Sequence, residues 1–226
     1  MLGGFQLVQQ RTRVTVPGAA ERLLAFLAFA GNGMQRGLIA GVLWPNTSER
    51  RAFGNLRSTL SRLGPGRPAV VADPLTVQLA DDVAVDVRDA RGLALRLLTP
   101  HPDSADLSPA AVEVLSEQLL PGWYDEWVLE EAEEWRQLRL HALEALAGHL
   151  RRAGRFGEAA VAAGACVRAE PRRESAHAAL VSVHLAEGND VEALRQLERF
   201  RKLLRAELGL DPSPRLTDLF GSRRLH

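Results

Sequence analysis

The sequence predicts a mainly α fold with a small β component: an N-terminal winged helix of the response-regulator effector type, followed by a C-terminal all-α, tetratricopeptide-like domain. Three observations predict it. The N-terminal part reads in order as a strand pair, three helices and a hairpin, and helix breaks and apolar positions in the second half recur 34 residues apart. Charge also divides along the chain. The 226 residues hold 28 Lys+Arg and 28 Asp+Glu, yet residues 1–98 carry 12 Arg against 7 acids, and the remainder carries 16 basic residues against 21 acids. A chain of zero net charge is therefore a +5 half joined to a −5 half, which at this length favours two modest domains.

The strand pair comes from weak alternation over residues 2–16, with Phe5 and Leu7 in one run, Val14 and Val16 in the other, and polar Gln9-Gln10-Arg11 between them. After Pro17-Gly18, the residues Leu23, Leu24, Phe26, Leu27 and Phe29 predict a mostly apolar helix that stops at Gly31-Asn32-Gly33. A second short helix carries Leu38, Ile39, Val42 and Leu43. It ends at Trp44-Pro45, because proline disfavours helical geometry in the residue before it.

Asn46-Thr47-Ser48 offers N-caps for a third helix reaching about Leu63, with Gly64-Pro65-Gly66 as its stop. Phe53, Leu56, Leu60 and Leu63 are spaced to share its apolar face. The opposite face is expected to hold Arg51, Asn55, Ser58 and Arg62, flanked by Arg50, Arg57 and Ser61. No Asp or Glu occurs from residue 50 to 72, so Arg50, Arg51, Arg57, Arg62 and Arg67 have no local carboxylate. Val70-Val71, the Asp73-Pro74 turn and the alternating Leu75, Val77 and Leu79 predict the hairpin, with Val83, Val85 and Val87 continuing the extended pattern. In a winged helix, the third helix is the recognition helix.

The Pro/Ser/Asp stretch Thr99–Ser104 reads as the connection. Beyond it the pattern is helical: Trp123–Ala153, Arg155–Ala169, Ser175–Glu187 and Val191–Leu208. Gly154 and Gly188 are 34 apart, as are Leu146 and Leu180, Glu158 and Glu192, and Ala159 and Ala193. That is the period of tetratricopeptide helix pairs, whose open faces stack into a groove suited to a peptide, helix or domain partner. The expected domains are residues 1–95 and 96–220, with a disordered tail at 221–226.

No Gly-rich phosphate loop, G-x-S-x-G elbow or H-E-x-x-H pair occurs, so no enzymatic constellation, cofactor or metal site is expected. Asp81-Asp82 reads as a solvated turn, and His177 and His184, two helical turns apart, read as structural. The single cysteine, Cys166, precludes an intramolecular disulfide and reads as a core residue. Trp123, Tyr124, Trp127 and Trp135 could stack bases, but the acids around them would repel phosphate, so core packing between helices is expected. No apolar run is long enough to cross a membrane, and Met1–Phe5 lacks a signal-peptide build, so a cytoplasmic protein is expected.

Charged helix faces are usually solvated. Here the carboxylate-free window, the small polar residues and the hairpin directly after the helix point to DNA contact. Arg can pair bidentately with guanine, Asn with adenine, and Ser or Thr with phosphate or either base edge. The alternative is a scaffold or adaptor whose winged helix docks protein rather than DNA.

The chain resembles the Streptomyces antibiotic regulatory protein family. The resemblance rests on Leu2-Gly3-Gly4-Phe5, Arg22-Leu23-Leu24-Ala25, Leu43-Trp44-Pro45, Asn55-Leu56-Arg57-Ser58 through Arg62-Leu63, and Val85-Asp86-Val87. In the second half, Leu120–Val128, Ala153-Gly154-Arg155 and Glu207–Pro214 resemble the family's bacterial transcriptional activation domain. The resemblance implies an activator that sets its third helix in the major groove of promoter direct repeats, contacts the backbone with the wing, and recruits RNA polymerase holoenzyme; half-sites one helical turn apart on the double-stranded DNA would imply a homodimer there. It implies that Arg50, Arg51, Asn55, Arg57, Ser58, Ser61 and Arg62 face DNA, with Thr47, Ser48 and Arg67 on phosphate. It also implies the small type of bacterial regulator, without ATPase or sensor regions. Gly64-Pro65-Gly66 departs from the family pattern, in which further basic residues commonly extend the helix.

Overall fold

A computed structural model of the chain describes residues 1–31 and 33–221. Asn32 and all but Gly221 of the expected 221–226 tail lie outside the described residues. The chain forms two compact units: Met1–Val87 with Leu119–Glu131, and Arg88–Gln118 with the chain from Ala132 onward.

The first unit opens with strands β1 (Leu7–Gln9) and β2 (Thr12–Val14), antiparallel with Leu7 opposite Val14. Gln10 and Arg11 turn the hairpin at φ 48° and 66°, the left-handed pair that matches the twist of a two-residue hairpin loop. Helix α1 (Gly18–Phe29) buries Leu23, Leu24, Phe26 and Leu27. Strand β3 (Met34–Gln35), α2 (Arg36–Leu43), α3 (Glu49–Ser61), a 3₁₀ segment (Gly64–Ala69), β4 (Val70–Ala72) and β5 (Thr76–Leu79) follow. The second sheet has the order β3-β5-β4, antiparallel throughout. This is the expected winged helix, with β4 and β5 as the wing and one core uniting α1, α2, α3 and the sheet.

The extended run expected through Val83, Val85 and Val87 does not form a strand. Asp86 starts helix α4 (Asp86–Leu97), so Val87 is helical, and the Asp86 carboxylate accepts the Leu2 N–H at 2.9 Å. The return segment 119–131 completes the unit: Leu2 and Leu119 form an antiparallel bridge, and the Leu120 N–H donates to the Met1 carbonyl at 3.1 Å. Trp123 stacks on Phe5 with centroids 6.1 Å apart. Trp127 meets Phe26 and Phe29 edge-on at 5.3 and 6.0 Å. Arg22 joins the Asp125 carboxylate and the Leu43 carbonyl.

The expected aromatic cluster is therefore divided. Trp123 and Trp127 pack in the first unit, Tyr124 is exposed, and Trp135 is buried in the second. There, α5 (Pro109–Ser116) ends against α6 (Glu126–Arg152): Trp135 Nε1 donates to the Glu117 carbonyl at 2.9 Å, and buried Arg139 donates to the Leu115 and Ser116 carbonyls. These bonds satisfy carbonyls that a helix C-terminus otherwise leaves orphaned. The Thr99–Ser104 stretch lies inside this unit, bracketed by a two-pronged Arg96–Asp106 pair at 2.8 and 2.9 Å that holds the Asp106 carboxyl below its usual range.

Helices α7 (Phe156–Ala169), α8 (Glu174–Glu187), α9 (Asp190–Leu208) and the short α10 (Pro214–Thr217) complete the unit. The 34-residue period is structural: Gly154 and Gly188 turn the chain at φ 72° and 86°, and Ala159 and Ala193 are both fully buried. The repeats differ inside. Where the first has Leu143, Ala162 and Cys166, the second has His177, Gln196 and Phe200, all buried. His177 stacks on Phe200 at 4.1 Å, its Nε2 donates to the Pro171 carbonyl at 2.8 Å, and its Nδ1 accepts from Gln196 at 2.8 Å. These partners assign the neutral Nε2–H tautomer.

Burial pushes the His177 pKa below 6.5. The unfolded chain therefore takes up that proton first on acidification, so the stabilisation from neutral His177 is complete above pH 6.5 and drains away as pH falls below it. Thermal melts against pH should show this fall in the wild type and a flatter profile in His177→Gln. Parallel profiles would remove His177 as its source.

Candidate nucleic-acid interface

Helix α3 is held by a stripe of Ala52, Leu56 and Thr59, continued by Leu63, all buried. The spacing of four, three and four keeps them on one face. This differs from the expected stripe through Phe53 and Leu60, which are half-buried at its edge. Small Ala52 and Thr59 let the helix seat closely, while Phe53 reaches sideways over α2, where a Cβ on Gly37 would lie 3.6 Å from its ring.

The exposed side is rotated to match. Arg50, Gly54, Arg57 and Ser61 lie opposite the buried stripe at about 100° per residue, and Arg50, Arg57 and Ser61 are exposed. Arg51, Asn55, Ser58 and Arg62 form one flank instead of the outermost face. Asn55, Ser58 and Arg62 border a notch of about 280 Å³ whose other wall includes Pro17, Ala20 and Trp44. Arg51 and Arg62 remain exposed, while Asn55 and Ser58 are half-buried.

Thr47 and Ser48 are exposed before the helix. Thr47 donates its hydroxyl to the Trp44 carbonyl at 3.1 Å. Ser48 occupies the N-cap position, yet it caps through its carbonyl, which accepts the Arg51 and Ala52 N–H groups at 2.9 Å, and its side chain makes no capping bond. Ser61 donates its hydroxyl to the Ser58 carbonyl at 2.9 Å. The helix ends at Ser61 with Arg62 as C-cap. Gly64-Pro65-Gly66 opens the 3₁₀ segment that carries Arg67, whose guanidinium donates to the Val70 carbonyl.

The wing is braced from its turn. The Asp73 carboxylate accepts the N–H groups of Leu75 and Thr76 and the Thr76 hydroxyl, each at 2.7 Å. The hydroxyl bond contributes most to holding the Asp73 carboxyl below its usual range. Arg36 Nε donates to the Asp73 carbonyl at 2.9 Å, and the Arg36 N–H donates to the Leu75 carbonyl at 3.0 Å. Leu75, at the tip, is 76% exposed. The sequence offered no sign of the Arg36 brace, because its partners are backbone atoms 37 and 39 residues away.

The arginines on and just after α3 differ from six in the helical unit and from Arg22, which joins Asp125. In the helical unit, Arg136, Arg155, Arg173, Arg195, Arg201 and Arg205 are each paired with a carboxylate. Among the described residues, no ion pair involves Arg50, Arg51, Arg57, Arg62 or Arg67. Gly54 lies among them in mid-helix, and a Cβ there would meet no atom within 4 Å. Glycine costs a helix interior ~1 kcal/mol relative to alanine, and no internal packing requires it here.

Other candidate chemistry is weak. Cys166 is buried, and burial pushes its thiol up to about 12, so the nucleophilic thiolate is suppressed. Among the described residues, no group of three or more His, Cys, Asp or Glu side chains is arranged to hold a metal ion. Nor is any helix among them long and apolar enough to cross a membrane.

Comparison with solved structures finds the same fold in Mycobacterium tuberculosis EmbR, solved in complex with a low affinity phosphopeptide. The TM-score is 0.67 at 20% identity, over 96% of this chain and 62% of that one. This chain thus spans about three-fifths of the EmbR chain's length. No curated relative matches. The family model described as "Bacterial transcriptional activator domain" matches residues 86–222, more than half of the chain and all of the helical repeats. The expected resemblance is borne out: this chain belongs to the bacterial transcriptional activator domain family of transcription regulators.

Proposed function

We propose that this chain is a sequence-specific, double-stranded DNA-binding activator of the bacterial cytoplasm. Its winged helix, within residues 1–95, binds promoter direct repeats as a homodimer, and its helical part, within 96–220, recruits RNA polymerase holoenzyme. The observation that carries the reading is the exposed set of α3 arginines without carboxylate partners, on a helix anchored by a buried stripe beside a braced wing. Arg50, Arg51, Arg57 and Arg62 supply charge and bidentate donors, with Ser61 between them. Asn55 and Ser58 contribute from the notch, and Thr47, Ser48 and Arg67 contact phosphate. Phosphate contacts give affinity and base edges give sequence choice.

The test is selection of duplexes from a randomised pool by the full chain, together with genome-wide mapping of bound DNA. We expect enriched direct repeats, bound with an affinity that falls steeply as salt rises. Half-sites one helical turn apart would put both protomers on one DNA face. No enrichment, or salt-independent binding, would overturn the reading in favour of a protein-docking scaffold.

A further inference from the structure

We propose that the bare main chain at Gly54 is itself a DNA-contacting surface, the point at which α3 seats deepest against the groove. This rests on the DNA reading above and adds a residue that composition and charge cannot reveal. Three observations carry it. Gly54, half-buried, lies on the side of α3 opposite its buried stripe, between exposed Arg50 on one side and exposed Arg57 and Ser61 on the other, so a body engaged by both arginines passes over it. A Cβ at this position would meet no protein atom within 4 Å, so the fold gives no reason for its absence. Glycine in a helix interior lowers stability, so the missing side chain has a cost without an internal return.

Two tightly packed glycines differ. Gly66 has Val16 at 3.1 Å, and Gly33 has the Gln78 side chain at 3.0 Å, so their small size is explained inside the protein. At Gly54 the space is outside. Close approach of a helix backbone lets short side chains such as Ser61 and the half-buried Asn55 and Ser58 come within reach of the duplex, whereas a methyl group would hold the ridge away. The partner is the wall and floor of a DNA major groove, which admits an α-helix with little room to spare.

The experiment compares Gly54→Ala and Gly54→Leu with the wild-type full chain, using the duplex that the wild type enriches from a randomised pool. Gly157→Ala in α7, where a Cβ also meets nothing within 4 Å, is the control. Gly54→Ala should raise the melting temperature by roughly 2–4 °C, the shift that recovered helix propensity gives a chain of this size. It should also weaken duplex binding by ~10-fold, with Gly54→Leu weaker still and Gly157→Ala at wild-type affinity, since tenfold is the loss that ~1.4 kcal/mol of forfeited contact produces. Stabilisation with unchanged affinity would overturn the proposal. So would a lowered melting temperature in Gly54→Ala, because it would reveal an internal need for glycine. A wild-type chain that enriches no duplex defeats the DNA reading itself, a separate result from a Gly54 variant that binds normally.

Discussion

Replacing Arg57 and Arg62 together with alanine is expected to weaken binding to the selected duplex by on the order of 30-fold to 10⁴-fold, given ~1–3 kcal/mol for each bidentate base contact. Arg57 stands on the side of α3 opposite its buried stripe and Arg62 on the flank beside the notch, so the two probe different parts of the exposed surface. Neither takes part in an ion pair among the described residues and both are exposed, so the fold should change by no more than ~0.5 kcal/mol. That separation makes the result interpretable, because lost binding will not be lost folding. Titration at several salt concentrations then sorts the contacts. An arginine on phosphate lowers the slope of log affinity against log salt by ~1 when removed and weakens all sequences alike. An arginine on a base edge relaxes preference at one position. Wild-type affinity in the double variant would exclude this side of α3 from the interface.

Trp135→Ala is expected to destabilise the helical unit by ~3–5 kcal/mol, the range for deleting a large buried aromatic. Its side chain is almost fully buried, and its Nε1–H holds the Glu117 carbonyl at the end of α5. One turn along α6, Arg139 holds the neighbouring Leu115 and Ser116 carbonyls, so the loss also unsettles a buried cation whose surroundings already disfavour its charge. Trp135→Phe keeps most of the buried ring while removing the hydrogen bond, and should cost less, ~1–3 kcal/mol, the penalty for an orphaned buried carbonyl. Chemical denaturation followed by far-ultraviolet circular dichroism measures both variants. Equal losses would show that the hydrogen bond, not the filled space, is the larger contribution.

Much of this architecture is legible in the residues because the helices are strongly periodic. The stops after α6 and α8 fall on glycines that take left-handed backbone geometry, and their 34-residue offset carries through to equivalent buried positions. Long-range placement is less visible. Val83, Val85 and Val87 alternate like a strand, yet Asp86 is fixed by the Leu2 N–H and begins a helix. The rotation of α3 was hidden for another reason. Hydrophobicity favours Phe53 and Leu60 as the inward residues, whereas close helix seating selects Ala52 and Thr59, and only packing distances distinguish the two. The candidate DNA residues all fall on α3 or its flanking turns, but the notch that half-buries Asn55 and Ser58 depends on Pro17 and Trp44, which pattern alone does not connect to them. The His177–Gln196 pair was likewise unreadable, since its second-repeat positions are apolar in the first.

The first unit is closed by a stretch of chain that returns to it after residues 88–118 have been committed elsewhere. Trp123 and Trp127, which cover Phe5, Phe26 and Phe29, are encoded beyond that excursion. For genetic exchange this is a constraint on inheritance. A single crossover near residue 95 would give a hybrid whose N-terminal core is finished by a foreign sequence, so a new helical partner must bring a matching return segment and tryptophans. Lineages should therefore reshuffle these two bodies rarely, and diversify binding choice by point changes on α3 while the interleaved chain passes down intact.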